Sequence, residues 1–153
     1  MVVSPEEAAR NLLEVVPLIT RDLRSEMRNQ SSTDLTVVQF RSLAFVDRNA
    51  GASLLEVANH LGLTPPSTSR IVNVLIARGM MTREDHPADR RRVMLTVTNR
   101  GQKILEVSRR GTLTYLSNKI KELSAADRET IAIAMKTLQP IFTNTIGTIA
   151  GAK

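Results

Sequence analysis

The sequence predicts a mainly α-helical chain with one small β-hairpin. Apolar residues recur at three- and four-residue spacing along much of the chain, which is the period of an amphipathic helix. The period changes to two at residues 92–97, where apolar and polar residues alternate as they do in a strand. A hydrophobic fraction of 42% in 153 residues is enough to bury a core, which disfavours disorder of the whole chain.

Four capping boxes predict where helices begin. In each, a Ser or Thr side chain accepts a hydrogen bond from the first turn, and the residue three positions later bonds back to the cap. The four pairs are Ser4 with Glu7, Thr36 with Gln39, Ser53 with Glu56 and Ser124 with Asp127. We therefore expect helices to begin near residues 5, 37, 54 and 125, and two long helices to cover about 102–122 and 125–149.

The middle of the chain has the pattern of two short helices joined by a tight turn. Gly62 favours the left-handed conformation that ends a helix, and Thr64 with Pro65 supplies the next N-cap and first helical residue. Two helices joined this closely are typical of a helix-turn-helix. Residues 80–84 then pair with residues 92–97 as a hairpin, which must pack on the helices because an isolated hairpin is marginally stable.

Positive charge is concentrated in one quarter of the sequence. Residues 70–110 hold ten basic and four acidic side chains, whereas the remaining residues hold eleven of each, so this segment accounts for the net charge of +6. A local surplus of cations raises affinity for a polyanion through counterion release. The alternative is a solvated surface that keeps the protein soluble, and charge alone does not decide between them.

The helix after Gly62 is expected to turn a small, polar side outward. At about 100° per residue, Thr68, Val72 and Leu75 fall on the opposite, inward side. Small outward residues allow a helix to approach base edges in a major groove, where Arg suits guanine and Asn suits adenine. Ordinary solvated helix residues are the alternative. The expected major-groove residues are Pro66, Ser67, Ser69, Arg70 and Asn73.

Three consecutive arginines stand at the hairpin end, where no apolar packing requires them. Long cations at such a tip reach a narrow minor groove or its phosphates. The hairpin is the wing of the predicted domain, and the three arginines at its tip are Arg90, Arg91 and Arg92. The neighbouring Asp89 would be a poor phosphate neighbour, so we expect it to hold an arginine or to cap the turn.

The terminal helices are expected to form a dimer. One small helical domain has too little surface to bury the apolar stripes of both the first and the last helix. A partner chain is therefore favoured over an intramolecular antiparallel helix pair or fraying of the Gly- and Thr-rich tail after Pro140. The predicted division is a helical dimerisation region over 1–34 and 102–153, and a winged helix-turn-helix domain over 35–101. The expected dimerisation residues are Leu12, Val16, Leu138, Ile141, Phe142, Ile146 and Ile149.

Four motifs, in order and spacing, resemble the MarR family of winged-helix regulators. LTVVQFRSL at 35–43 resembles the family's LTxxQfxvL helix, and LEVANHLGL at 55–63 resembles its first helix-turn-helix element. RIVNVLIARG at 70–79 resembles the recognition helix, and DRRRVMLTVTNRG at 89–101 resembles the wing that ends in LTxxG. The resemblance implies a homodimer whose two recognition helices fit successive major grooves of a pseudo-palindromic operator.

The resemblance also assigns roles at the wing and raises the question of an effector. The family's Asp-x-Arg pattern falls on Asp89 and Arg91, which implies that Arg91 is the minor-groove residue and that Arg90 and Arg92 take phosphates or give support. Many relatives release their operator on binding a small, often aromatic ligand. One tyrosine, three phenylalanines and no tryptophan give no obvious aromatic cage, so no effector-binding residue is assigned.

Several function classes are disfavoured. No cysteine and two distant histidines predict no metal site, and we expect no cofactor. Neither a Ser/His/Asp arrangement nor a glycine-rich phosphate loop is found, so we expect no catalytic residues and no enzyme. No membrane span or signal segment is visible, which predicts a cytoplasmic protein. We expect a repressor that binds duplex DNA; the alternative is a winged-helix module that binds protein or RNA.

Overall fold

The computed structural model describes residues 2–30 and 32–143, and it confirms a mainly helical fold with a small β-wing. The described residues form six helices and one two-stranded antiparallel sheet. The elements are α1 Pro5–Asn29, α2 Val37–Arg48, α3 Leu54–Leu61, α4 Pro65–Ala77, β1 Met81–Asp85, β2 Val93–Val97, α5 Asn99–Ile120 and α6 Ala125–Thr143. No helix in the described part of the chain is long and apolar enough to cross a membrane.

Side-chain caps fix the helix starts. Thr36 forms the complete capping box, since its hydroxyl accepts from the Gln39 N–H at 3.2 Å and the Gln39 side chain accepts from the Thr36 N–H at 3.1 Å. Ser4, Ser53 and Ser124 each accept from the N–H of the residue three positions later, but among the four predicted capping boxes only that of Thr36 has both bonds. The cap at Thr98 was not predicted, because a glycine stands three positions later instead of Glu or Gln; α5 therefore begins at Asn99, before the expected residue 102.

The core lies where α2, α3 and α4 meet the hairpin and the first turns of α5. Its largest fully buried apolar side chains come from all of these elements and from the chain between α4 and β1. They are Leu43, Val46, Val57, Val72, Leu75, Met80, Met81, Leu95 and Leu105. Burial of apolar surface between α4 and the hairpin fixes the two elements relative to each other.

The hairpin is tied to the helices by backbone hydrogen bonds. β1 pairs with β2 in the register Met81 with Val97 and Asp85 with Val93, one residue later in β1 than the sequence predicted. On the other edge of β2, the Leu95 N–H donates to the Ala52 carbonyl, and the Gly51 N–H donates to the Leu95 carbonyl, both at 2.9 Å. The connection between α2 and α3 thus supports the wing through a single β-bridge.

The terminal helices leave apolar surface uncovered in the single chain. Leu13 of α1 is 77% exposed and Phe142 of α6 is 63% exposed, and α6 has no buried residue within its described length. Leu12 and Leu138 are half-buried and line a groove of about 450 Å³ between these helices. Of the other expected dimerisation residues, Val16, Ile141 and Phe142 are exposed, and Ile146 and Ile149 lie outside the described residues.

Candidate nucleic-acid interface

The orientation of α4 follows from its buried stripe. Thr68, Val72 and Leu75 are completely buried against the core. Residues three and four positions apart share a side of a helix, so the opposite side of α4 faces solvent. Of the five residues expected to enter a major groove, four are exposed: Pro66, Ser67, Arg70 and Asn73. The fifth, Ser69, is half-buried. Sequence periodicity therefore placed the polar side of α4 correctly.

The first turn of α4 is organised by Thr64. Its hydroxyl oxygen accepts from the Ser67 N–H at 3.4 Å, and its hydroxyl hydrogen donates to the Ser67 hydroxyl at 3.0 Å. The backbone carbonyl of Thr64 accepts from the Thr68 hydroxyl at 3.0 Å. The Ser67 hydroxyl oxygen accepts the hydrogen bond from Thr64, so the Ser67 hydroxyl hydrogen can donate to a partner outside the protein.

The wing tip is a tight turn closed by Asp89. The Arg92 N–H donates to the Asp89 carbonyl at 2.9 Å, and the Arg91 N–H donates to the Asp89 carboxylate at 3.0 Å. Of the two roles expected of Asp89, this geometry matches the turn cap. Arg90 and Arg91 occupy the two central positions of the turn, and both side chains and that of Arg92 are exposed. The salt bridges of the described residues involve none of these three arginines.

Four cations of the basic segment bond to backbone carbonyls or to Glu106, and most of the other six lie on α4 and the wing. Arg78 donates to the carbonyls of Asp34 and Thr33 at 2.9 and 3.1 Å, which fastens the end of α4 to the connection between α1 and α2. Arg100 donates to the Arg78 carbonyl, and Arg109 and Arg110 pair with Glu106 on α5. The remaining basic residues of this segment are Arg70, Arg83, Arg90, Arg91, Arg92 and Lys103. Five of these six lie on α4 and the wing.

Asn73 has a partner that the sequence analysis did not select. The Arg83 guanidinium on β1 donates to the Asn73 side-chain oxygen, with 3.5 Å between Nη2 and Oδ1. Strand alternation was the signal that could have found it, since Arg83 follows the buried Met81 by two residues and so shares its side of the sheet. The contact joins the solvent-facing side of α4 to the base of the wing.

His60 stabilises the first helix of the motif. Its ring stacks on Phe45 of α2, with 4.5 Å between the ring centroids and 20° between their planes, and its carbonyl accepts from Arg41 at 3.1 Å. Burial lowers the pKa of His60, and the charges of Arg41 and Arg48 lower it further. The neutral imidazole is therefore the favoured form, which suits packing against Phe45. No cluster of His, Asp or Glu suited to a metal ion is present among the described residues.

These elements define a winged helix-turn-helix protein, with a polar helix side and a basic hairpin exposed together. Residues 33–92 match the model of the MarR family. The uncharacterized HTH-type transcriptional regulator YhbI of Bacillus subtilis (strain 168) is 34% identical over 73 residues. These residues cover 48% of this chain and 47% of that protein, so the match spans about half the length of each. An uncharacterized HTH-type transcriptional regulator of Mycobacterium bovis is 26% identical over 134 residues, 88% of this chain and 92% of that protein. Over residues 33–92 the chain is thus similar to the MarR family.

Solved structures share the fold. A crystal structure of MarR has a TM-score of 0.81 and 22% identity, covering 89% of this chain and 93% of that one. The transcriptional repressor CouR, bound to a 23-mer DNA duplex, has a TM-score of 0.71 and 23% identity, covering 92% of this chain and 99% of that one. FabT of Streptococcus pneumoniae, in complex with DNA, has a TM-score of 0.70 and 15% identity, covering 93% of this chain and 99% of that one.

Proposed function

We propose that this chain represses transcription by binding a pseudo-palindromic operator in duplex DNA as a homodimer. The observation that carries the proposal is the shared exposure of the polar side of α4 and the arginines of the wing, joined through Arg83. A major groove about 12 Å wide admits an α-helix, and a neighbouring cationic hairpin suits the adjoining minor groove. CouR and FabT, which share the fold, were solved with DNA.

The side chains suggest a division between reading bases and holding the backbone. Arg70 suits bidentate donation to guanine O6 and N7, and the small Pro66, Ser67 and Ser69 allow α4 to come close enough. Arg91 at the tip of the wing is the proposed minor-groove residue. Arg90 and Arg92 supply sequence-independent contacts to phosphates.

The uncovered faces of α1 and α6 support assembly of two copies. A second chain would cover the groove between Leu12 and Leu138 together with exposed residues such as Phe142. A closed two-fold dimer presents two copies of α4, as a palindromic site requires. In this proposal the protein is cytoplasmic and non-catalytic, acts without a cofactor, and leaves the operator when a small-molecule effector binds.

The proposal is tested by selecting bound duplexes from a random DNA pool and titrating arginine variants on the selected site. We expect a recovered palindrome and a loss of about 1 to 3 kcal/mol for Arg70→Ala on it, with much less loss on random DNA. Arg90→Ala should weaken both duplexes alike and reduce the slope of log K against log salt by about one. Arg110→Ala, which removes an exposed arginine of α5, is the matched control.

Two outcomes would contradict the proposal. Equal losses for Arg70→Ala on selected and random DNA would refute base reading by α4. Failure to recover any preferred duplex, with binding to RNA or to a protein instead, would favour a winged-helix interaction module over an operator-binding regulator.

A further inference from the structure

We propose that Arg83 is a positioning residue for base reading, which holds the Asn73 amide so that its NH₂ group faces the DNA. This inference rests on the proposed function, because it describes how one side chain of α4 meets a base. It differs from the expectation that Asn73 pairs with adenine. It also makes the base of the wing a determinant of sequence preference.

Strand register brings Arg83 to α4. Arg83 lies opposite Leu95, which is completely buried, so both side chains leave the sheet on the side that packs against the helices. Arg83 itself is exposed, because it lies beyond the core that covers Met81 and Leu95. From this place its guanidinium contacts the exposed Asn73 side chain.

The nearby carboxylates do not compete for Arg83. Glu84 is the next residue and points to the other side of the sheet, whereas Asp85 shares the side of Arg83. The salt bridges of the described residues include no pair between Arg83 and either acid. The hydrogen bond to Asn73 is therefore the contact that orients the guanidinium.

The contact determines which hydrogen-bonding group Asn73 presents. An amide has its oxygen and its NH₂ group on opposite sides of one planar unit, so holding the oxygen towards β1 turns the NH₂ group away from β1. A lone NH₂ donor pairs with a major-groove acceptor, such as guanine O6 or N7 or thymine O4. We therefore expect Asn73 to prefer an acceptor edge over the acceptor-and-donor edge of adenine.

A double-mutant cycle on the selected operator tests the coupling. Arg83→Met keeps the aliphatic stem and removes the donors, and it is combined with Asn73→Ala. If Arg83 positions Asn73, each single variant already loses their joint contribution to operator affinity. The fold-loss in affinity of the double variant should then be about threefold or more below the product of the two single fold-losses. Arg91→Ala combined with Asn73→Ala is the control, and its losses should multiply. Arg83→Lys should restore part of the affinity.

Two further readouts separate positioning from a structural role. Asn73→Asp keeps an acceptor for Arg83 but loses the donor, so it should lose as much operator affinity as Asn73→Ala. Repeating the selection with Arg83→Met should relax the preference at the base that Asn73 reads and leave the guanine assigned to Arg70 unchanged. Thermal midpoints measured without DNA identify any variant that is unfolded.

The outcomes distinguish this inference from the proposed function. Multiplicative losses for Arg83→Met with Asn73→Ala, together with an unchanged base preference, would overturn the role of Arg83 while Arg70→Ala and Arg91→Ala still weaken operator binding. If Arg70→Ala and Arg91→Ala also have no effect, the proposed function itself is wrong.

Discussion

Gly101 sets the distance between the hairpin and α5. A Cβ atom at this position would overlap the Met80 carbonyl oxygen and would lie 2.8 Å from Cγ1 of Val97. The same carbonyl accepts from the Thr98 N–H at 3.0 Å, so it has little freedom to move. The glycine of the LTxxG motif is thus explained by close backbone packing at the base of the wing.

Gly101→Ala is therefore expected to destabilise the protein, by about 1 to 3 kcal/mol, because backbone atoms must move to admit the methyl group. Thermal or urea unfolding measures the change. Gly111→Ala is the matched control on the same helix, since its Cβ would meet only the end of the Gln30 side chain, at 3.0 Å. There we expect a small change, helped by the higher helix propensity of alanine. Equal destabilisation by both substitutions would contradict this explanation.

Individual residues differ in how far sequence alone reveals their roles. Thr68 and Arg70 could be assigned to opposite sides of α4, because helix periodicity and apolar burial act within one segment. Arg78 was counted with the surface cations, yet it binds the carbonyls of Thr33 and Asp34. Arg83 was missed for a related reason. Both contacts join residues of different elements, and alternation in β1 indicates the side on which Arg83 lies but not its partner.

At the scale of elements, caps predicted helix boundaries better than alternation predicted strand boundaries. A cap such as Thr36 is a local hydrogen-bonded unit, so its position follows from four residues. The start of β1 depends on tertiary contacts, because Met80 is buried between α4 and the strand and its carbonyl bonds to Thr98. The bridge between Ala52 and Leu95 involves a single pair of residues, so no periodic pattern in the sequence could predict it.

α1 and α6 carry apolar faces that the described chain leaves largely exposed. Amphipathic periodicity predicted their apolar faces, and Val16 and Phe142 are indeed exposed in one chain. Periodicity does not identify the surface that covers such a face, since a partner chain and an intramolecular contact bury it equally well. The division into a dimerisation region and a DNA-binding domain at residues 35–101 stays a prediction.

Phe142→Asp is expected to convert the dimer into a monomer and to lower operator affinity steeply, because it places a charge in the proposed interface. Sedimentation velocity measures assembly, and titration of the selected operator measures binding. Leu55→Asp is the control for assembly, since Leu55 of α3 is also largely exposed and lies outside the terminal helices. A Phe142→Asp protein that still sediments as a dimer and binds the operator normally would contradict the proposed interface.

In the proposed complex, the exposed side of α4 lies in the major groove. Because the chain contains no cysteine, one introduced cysteine is a unique attachment point for a DNA-cleaving iron chelate. From Ala77→Cys, on the exposed side of α4, we predict two clusters of cuts in the selected operator about 10 base pairs apart. From Glu122→Cys, at the turn between α5 and α6, we predict no such clusters. Equal cutting from both positions, or none from Ala77→Cys while the protein remains bound, would contradict this placement of α4.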